Sequence, residues 1–374
     1  MSPKVRRISE VAVEPLVEVF ASEWIECLVG LACFTRSDTV PAAYDIGAVW
    51  FDEIEKSMSP GLREALEPFR SMSDAAAFWF GVVGVAVDGP ATVDEVLDRL
   101  SGMPAEQLWP YLVRAHHLRH PTPAALEAMA AAGRGTVDPL VRELADQDRR
   151  LQRFAIEVVT RLGADAGRAR DLVITAIRGW HSEVFAAQWA GLAAVLERDA
   201  AVLSGLRRTA GTAELYERAT AGGEYVQEAG IDRVALVPTF LGRPWVWQER
   251  CGTTLLVCHP VTEESLAPSP EEARLRRILR LSKALSDESR LRILRRLADT
   301  PSTLQELADH FGLRKSTMHH HLSALRGACL LRLRMADKRY MLRTQPLSEL
   351  TALLSEHLGV KAGSAGGAAQ RRRP

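Results

Sequence analysis

The stretch from Ala284 to Thr344 constrains the fold most, because it contains three helix patterns and a strand pattern in close succession. Asp287 is a good N-cap for the first helix, which ends near Asp299. Its apolar positions are Leu291, Ile293, Leu294 and Leu297. They alternate with arginines, which predicts an amphipathic helix with one buried face.

A second, shorter helix is predicted after Pro301. Ser302 and Gln305 have the spacing of a capping box, in which each side chain accepts from a free amide at a helix start. Apolar residues then recur at i, i+3, i+4 and i+7, at Leu304, Leu307, Ala308 and Phe311. Gly312 ends the helix, and another begins three residues later. This is the spacing of a helix-turn-helix.

The third helix presents a polar, cationic face. Met318, Leu322 and Leu325 fall at i, i+4 and i+7 and predict the buried stripe. The first turn offers free backbone amides to a phosphate, and the outward side chains suit base edges in a major groove. We therefore expect DNA contacts from Arg314, Lys315, Ser316, Thr317, His319, His320 and Ser323.

After Gly327 the apolar period changes from helical to two residues. The alternating positions are Leu331, Leu333, Met335, Tyr340 and Leu342. The polar tip between them, residues 336–338, predicts a β-hairpin, the wing. Lys338 and Arg339 lie at this tip, where they suit phosphates or a minor groove.

Three segments carry a family resemblance: ALSDESRLRILRRLA, LQELADHFGL and STMHHHLSALRGACLL. They resemble the ArsR-type winged-helix family of bacterial transcriptional regulators, over a region from about Glu272 to Leu358. The resemblance implies a homodimer that binds a double-stranded DNA operator with an inverted repeat. It also implies repression by promoter occlusion.

The chain departs from the family where metals are sensed. Many members use cysteines in the helix that matches Thr303 to Phe311, and this chain has none there. A second family site uses ligands on the last helix, where Pro346 to Leu358 offers only Glu349, Glu356 and His357. Metal sensing is therefore not implied, and no cofactor is predicted. Arg314 stands where the family often has Ser, which replaces a cap by a charge near the DNA backbone.

The 374 residues are too many for one such module, and charge is distributed unevenly along them. From Glu272 to Leu358 there are 17 basic and 9 acidic residues, a net charge of +8, whereas residues 1–271 carry a net charge of −12. This asymmetry is expected when nucleic-acid affinity is confined to one end of a chain.

The sequence predicts a mainly α fold. The region 1–207 is predicted to be helical, starting with an apolar stripe from Leu16 to Cys27. Residues 208–261 contain short β-branched runs at 233–240, 244–248 and 253–259, which predict a β subdomain with a small antiparallel meander. Residues 262–271 are the predicted linker, 272–358 the winged helix-turn-helix domain, and 359–374 a disordered tail.

The sequence also indicates the compartment. The five cysteines are scattered and odd in number, as expected in a reducing cytosol. The early apolar stretch is interrupted by Glu10, Glu14 and Glu18, so no signal peptide is expected. The longest apolar run, Ala75 to Val87, is too short to cross a bilayer. We expect a cytoplasmic protein without a membrane partner.

Several groups invite other interpretations. His319, His320 and His321 are consecutive and point about 100° apart on a helix, so they do not suit one metal ion. Cys251, Cys258 and His259 match no zinc spacing and are more consistent with packed thiols. His181 and Glu183 are predicted on a solvated helix face, and no catalytic motif is present, so an enzyme is the less favoured alternative.

The eight tryptophans all precede the winged helix. Helical core packing accounts for most of them, while a pocket for a small organic effector between helices stays open. The segments GWHSEVFAAQWAGLAAVLERDA and RVALVPTFLGRPWVW resemble the long N-terminal region of some ArsR-type regulators, which implies no ligand. That region is predicted to serve dimerisation, effector sensing or binding of another protein.

Overall fold

The chain divides into two compact units. The computed structural model describes residues 14–36, 44–70, 72–114, 123–132, 136–147, 149–334 and 337–360. The first unit comprises the chain up to Ala219 together with Val226–Pro260. The second comprises Thr220–Tyr225 and the chain from Val261. The region 208–261, predicted as a separate subdomain, therefore lies mostly in the same unit as the preceding helices.

The first unit is mainly helical, which confirms the predicted fold class. Its α-helices are α1 (Glu23–Thr35), α2 (Ala48–Ser57), α3 (Pro60–Arg70), α4 (Ala75–Val83), α5 (Val93–Gly102), α6 (Trp109–Leu112), α7 (Pro123–Ala132), α8 (Asp138–Gln147), α9 (Arg149–Leu162), α10 (Ala166–Trp180), α11 (Ala186–Gly205) and α12 (Thr212–Ala219). A π-helical turn, His181–Phe185, joins α10 to α11. None of the described helices is both long and apolar enough to span a membrane.

The start of the first unit differs from the predicted helical stripe. Leu16–Val19 is strand β1, and α1 begins only at Glu23. Ser22 caps α1 by accepting a hydrogen bond from the Ile25 amide at 3.4 Å. Because strand pairing with residues far along the chain fixes Leu16–Val19, a local helical pattern does not show it.

The remaining strands are β2 (Gly223–Glu224), β3 (Arg233–Thr239), β4 (Trp247–Cys251), β5 (Thr254–Pro260), β6 (Ser302–Thr303), β7 (Leu331–Arg334) and β8 (Arg339–Leu342). The first unit contains a sheet of order β1-β3-β5-β4. In it β1, β3 and β5 are parallel, and only β4 is antiparallel to β5. The predicted antiparallel meander is therefore wrong in strand direction. Helices α1, α11 and α12 all contact β3, whose residues from Val234 to Thr239 are buried, as expected for a parallel strand covered by helices.

The core of the first unit is rich in aromatic residues. Trp24, Trp79, Trp109 and Trp180 are fully buried in it. The other four tryptophans pack against it while partly exposed. Among these residues lies one buried acid, Glu26, which is 0% exposed and accepts hydrogen bonds from the amides of Phe240 and Leu241 at 3.0 and 2.8 Å.

The second unit has its own core and sheet. Its helices are α13 (Glu263–Leu266), α14 (Pro270–Leu285), α15 (Glu288–Asp299), α16 (Leu304–Phe311), α17 (Lys315–Gly327) and α18 (Gln345–His357). The strand order is β2-β7-β8-β6. The predicted linker 262–271 differs from the structure, because Thr262 and Ser269 cap the helices α13 and α14 within it. The predicted disordered tail falls, from residue 361 onward, outside the described residues.

Candidate nucleic-acid interface

Helix α16 is held by caps at both ends. Thr303 and Glu306 form its capping box, so the predicted pair Ser302 and Gln305 is wrong by one residue. The shift arises because Ser302 and Thr303 also form strand β6, paired with β8. At the other end the helix ends at Gly312, as predicted, and Gly312 adopts the left-handed conformation, with φ 64°.

Helix α17 has the predicted buried and exposed faces. Met318, Leu322 and Leu325 are buried against the core of the second unit. Six of the predicted contact residues are exposed: Arg314, Lys315, Ser316, Thr317, His319 and His320. Arg314 is the N-cap residue and makes no side-chain cap hydrogen bond within the described structure. The first turn of α17 therefore combines backbone amides with two cationic side chains.

Two residues of α17, Ser323 and His321, make contacts within the second unit. Ser323 is half-buried, and its hydroxyl donates to the carbonyl of His319 at 2.6 Å. His321 Nδ1 lies 3.8 Å from Oδ1 of Asp287, the N-cap of α15. Burial lowers the pKa of His321, against a smaller opposite effect of Asp287. His321 therefore connects α17 to α15, while His319 and His320 keep the outer face.

The wing separates the roles of its two cations. Lys338 is exposed at the hairpin turn and has a left-handed backbone, with φ 57°. Arg339 instead donates to both carboxylate oxygens of Glu306, each at 2.9 Å, and to the carbonyl of Pro301 at 2.8 Å. Lys338 thus projects from the tip, whereas Arg339 holds strand β8 against the start of α16.

The hairpin turn itself is stabilised by an ion pair. Arg334 donates to the two carboxylate oxygens of Asp337 at 2.9 and 2.6 Å. The hydrogen bond from Arg334 holds the pKa of Asp337 below its usual range. The turn residue before Lys338 is therefore charged at neutral pH, and Arg334 neutralises it. Met335 of the predicted strand and residue 336 of the predicted tip lie outside the described residues.

The cysteines considered as metal ligands are packed thiols. In the β4–β5 register Cys258 lies opposite Trp247 and Cys251 lies opposite Thr254. Burial raises the pKa of both thiols, which keeps them protonated. No group of three potential ligands is found anywhere in the described residues.

The other polar groups singled out in the first unit make internal contacts. His181 Nε2 lies 3.2 Å from Oε1 of Glu23. Glu183 accepts from the amide and the hydroxyl of Ser59, at 3.1 and 2.8 Å. His259, which sequence spacing did not pair with an acid, has Nδ1 4.0 Å from Oδ2 of Asp199, with both side chains buried. These pairs join elements distant in sequence, so only the fold brings them together.

The order of helices, the buried stripe of α17 and the following hairpin define a winged helix-turn-helix domain. Residues 285–334 match the family model of a helix-turn-helix domain. The predicted resemblance to the ArsR-type family is thereby confirmed for this part of the chain.

The chain is similar to curated regulators over a short stretch. The HTH-type transcriptional regulators CmtR of Mycobacterium bovis and of Mycobacterium tuberculosis are each 43% identical to it over 60 residues. The alignment covers 16% of this chain and 51% of each relative, so the chain spans about half the length of the curated relatives it matches. No solved structure matches the chain significantly.

Proposed function

We propose that the protein is a sequence-specific DNA-binding transcriptional regulator whose second unit contacts the DNA. The observation that carries this proposal is the outer face of α17. There Lys315, Ser316, His319 and His320 lie exposed, opposite a fully buried apolar stripe. A short helix with exposed polar residues at its start suits insertion into a major groove.

Charge supports the same assignment. Residues 272–358 have a net charge of +8, and the preceding 271 residues have a net charge of −12. Each phosphate neutralised by Lys or Arg adds about 0.9 to the slope of log affinity against log salt. The second unit therefore carries the salt-dependent part of the affinity, and the first unit opposes non-specific binding.

The regulator acts as a homodimer on an inverted repeat and represses by promoter occlusion. Helices α14 and α18 pack together, with the ion pairs Arg277–Glu349 and Arg274–Glu356 between them. Leu279, Leu354 and Leu358 on or beside these helices remain exposed. Exposed leucines beside a packed helix pair support their burial against a second copy.

The first unit serves effector sensing or dimerisation. Its helices carry many apolar and aromatic residues, the kind of side chain that lines pockets for small organic molecules. A thermal-shift screen of the full chain tests this, because a ligand that binds only the folded state raises the melting temperature. Binding of another protein, and an enzyme activity, remain the alternatives if no small molecule stabilises the first unit.

The test of DNA binding compares the full chain with residues 1–260. The full chain is expected to bind duplex DNA with a salt slope of several units, since each phosphate contact contributes about 0.9. The fragment 1–260 lacks α17 and the wing and is expected not to bind. Duplex binding by 1–260 that is as strong as that of the full chain would refute the assignment.

A further inference from the structure

The second unit contains a segment from the middle of the chain. Thr220–Tyr225, here called the inserted segment, belongs to the second unit, although the chain on both sides of it belongs to the first. The chain leaves the first unit at Ala219, returns to it at Val226, and leaves again after Pro260. The inserted segment is therefore covalently held at both ends by the first unit.

The inserted segment completes the wing sheet. Its strand β2 pairs in parallel with β7, with Gly223 opposite Leu333 and Glu224 opposite Arg334. Strand β7 would otherwise be an edge strand with unpaired amides and carbonyls. Arg334 is also the residue that holds Asp337 beside Lys338 at the hairpin tip. Strand β2 therefore pairs with the strand that leads to the hairpin tip.

A specific contact seats the inserted segment. Arg343, just after β8, donates to the carbonyl of Ala221 at 2.9 Å and to that of Cys329 at 3.3 Å. Gly222 has φ 108°, and a Cβ there would lie 2.5 Å from Cδ of Arg343. Only glycine allows this backbone and this close approach together. The contacts of Arg343 with Ala221 and Gly222, here called the seat, therefore fit one backbone conformation of the segment.

The connection back to the first unit is held by contacts in its second half. Residues 225–232 join β2 to β3, and Arg250 donates to the carbonyls of Ala229 and Gly230 within this connection, at 3.3 Å each. The Asp232 amide donates to the carbonyl of Thr253 at 3.0 Å. On the other side, α12 ends at Ala219, directly before the segment. Strand β2 is therefore joined by short stretches of chain to α12 on one side and to β3 on the other.

We propose that the inserted segment is a coupling strand that links the conformation of the first unit to the wing. The first unit changes DNA affinity by seating or releasing β2 on β7, and DNA binding stabilises the seated strand. This inference rests on the proposed function of the wing as a DNA contact. Because coupling between two sites is reciprocal, it can be detected from the DNA side without knowing an effector.

The test is hydrogen exchange of the full chain with and without a saturating DNA duplex selected from a random-sequence library. DNA is expected to slow amide exchange at residues 212–219 and 226–239 of the first unit by about fivefold or more, the lower end of allosteric coupling. Gly222→Ala places a Cβ against the Arg343 side chain at a backbone φ of 108°, which strains the seated conformation and displaces Arg343. It is expected to abolish this slowing at saturating DNA and to weaken duplex affinity.

Controls separate coupling from general damage. Gly47→Ala introduces a side chain at φ 80° with nothing within 4 Å, so it has a matched backbone cost without the contact to Arg343. It is expected to keep the wild-type slowing of exchange by DNA and the wild-type duplex affinity. Arg343→Ala removes the same seat from the other side and serves if Gly222→Ala does not fold, with exposed Arg295→Ala as its control.

The outcomes are distinguishable. Wild-type protein that binds the duplex without any change of exchange in the first unit would overturn the coupling and leave the proposed function intact. The coupling would also be overturned if Gly222→Ala and Arg343→Ala both kept the wild-type slowing of exchange by DNA. Failure of the wild type to bind any duplex at low salt would overturn the proposed function, and the coupling with it.

Discussion

Arg339 of strand β8 and Glu306 of helix α16 form a two-point ion pair, with Nη1–Oε2 and Nη2–Oε1 both 2.9 Å. Glu306 is at the same time the residue whose side chain closes the capping box of α16 with Thr303. One carboxylate therefore holds both the start of the helix-turn-helix and the second strand of the wing. Arg339 positions the hairpin, whereas its neighbour Lys338 is exposed at the turn.

This division predicts different effects for two adjacent substitutions. Lys338→Ala is expected to weaken binding to all duplexes alike and to reduce the salt slope by about one unit, because one phosphate contact is lost. Arg339→Ala is expected to lower the melting temperature of the second unit and to leave the salt slope nearly unchanged. Competition binding at two salt concentrations, with a thermal melt of each variant, measures both effects.

Glu306→Gln is the matched variant for Arg339. The backbone hydrogen bond from Thr303, aided by Arg339, holds the pKa of Glu306 below its usual range. The pair thus stabilises the fold above the unfolded pKa and ceases to do so as pH falls through the lowered, folded pKa. Wild type is expected to lose more stability than Glu306→Gln on acidification in this range. A reduced salt slope in Arg339→Ala would instead place Arg339 on the DNA.

The outer face of α17 is expected to read bases. Replacing Ser316, His319 or His320 by Ala should cost about 1–3 kcal/mol, chiefly against the true operator, and so narrow the gap to random DNA. The reason is that contacts to base edges carry sequence information, whereas phosphate contacts do not. Binding of operator and random duplexes at one salt concentration measures the gap.

Ser323→Ala is the control on the same helix. Its hydroxyl is already bonded to the His319 carbonyl, so its removal is expected to change operator affinity by less than about 0.5 kcal/mol. Full operator preference in all of the α17 face variants would contradict the placement of this helix in the groove. A large loss in Ser323→Ala would instead restore Ser323 as a contact.

The sequence predicted the features that local patterns determine. The structure contains the buried stripe of Met318, Leu322 and Leu325, the N-cap Asp287 and the helix end at Gly312. Each depends on residues within one or two turns of the same helix. One local prediction was wrong. The periodicity placed Leu291 on the buried face of α15, whereas the structure shows that Leu291 is exposed.

Features set by distant residues could not be predicted in this way. Strand β1 pairs with β3, more than 200 residues away, and β3 pairs in parallel with β5, about 20 residues further along the chain. The pairing of Arg339 with Glu306 requires the hairpin to fold back onto α16. Strand β2 of the inserted segment is only two residues long, which is too short for an alternating pattern. The sequence therefore could not predict its pairing with β7.

DNA release by metals is not expected. The helix that holds the family's thiols, α16, has no cysteine, and in the first unit Cys258 is buried while Cys251 is partly buried. Addition of zinc, cadmium or arsenite at micromolar concentration should leave the affinity for a selected duplex unchanged. Metal-dependent release that disappears in a Cys251→Ser, Cys258→Ser variant would overturn this expectation.

The buried acid Glu26 makes the stability of the first unit depend on pH. Burial raises the pKa of Glu26 to about 7, against the opposing hydrogen bonds from the amides of Leu241 and Phe240. A carboxyl with a raised folded pKa binds its proton more tightly in the folded state, so stability is highest below the unfolded pKa of about 4.5 and falls as pH rises towards 7. The shift corresponds to a loss on the order of 3 kcal/mol over this interval.

Glu26→Gln keeps an acceptor oxygen for the two amides and is expected to make the stability of the first unit less dependent on pH. All eight tryptophans lie in the first unit, so urea unfolding followed by tryptophan fluorescence at pH 5 to 8 reports on this unit. Equal pH dependence in wild type and Glu26→Gln would show that another group is responsible.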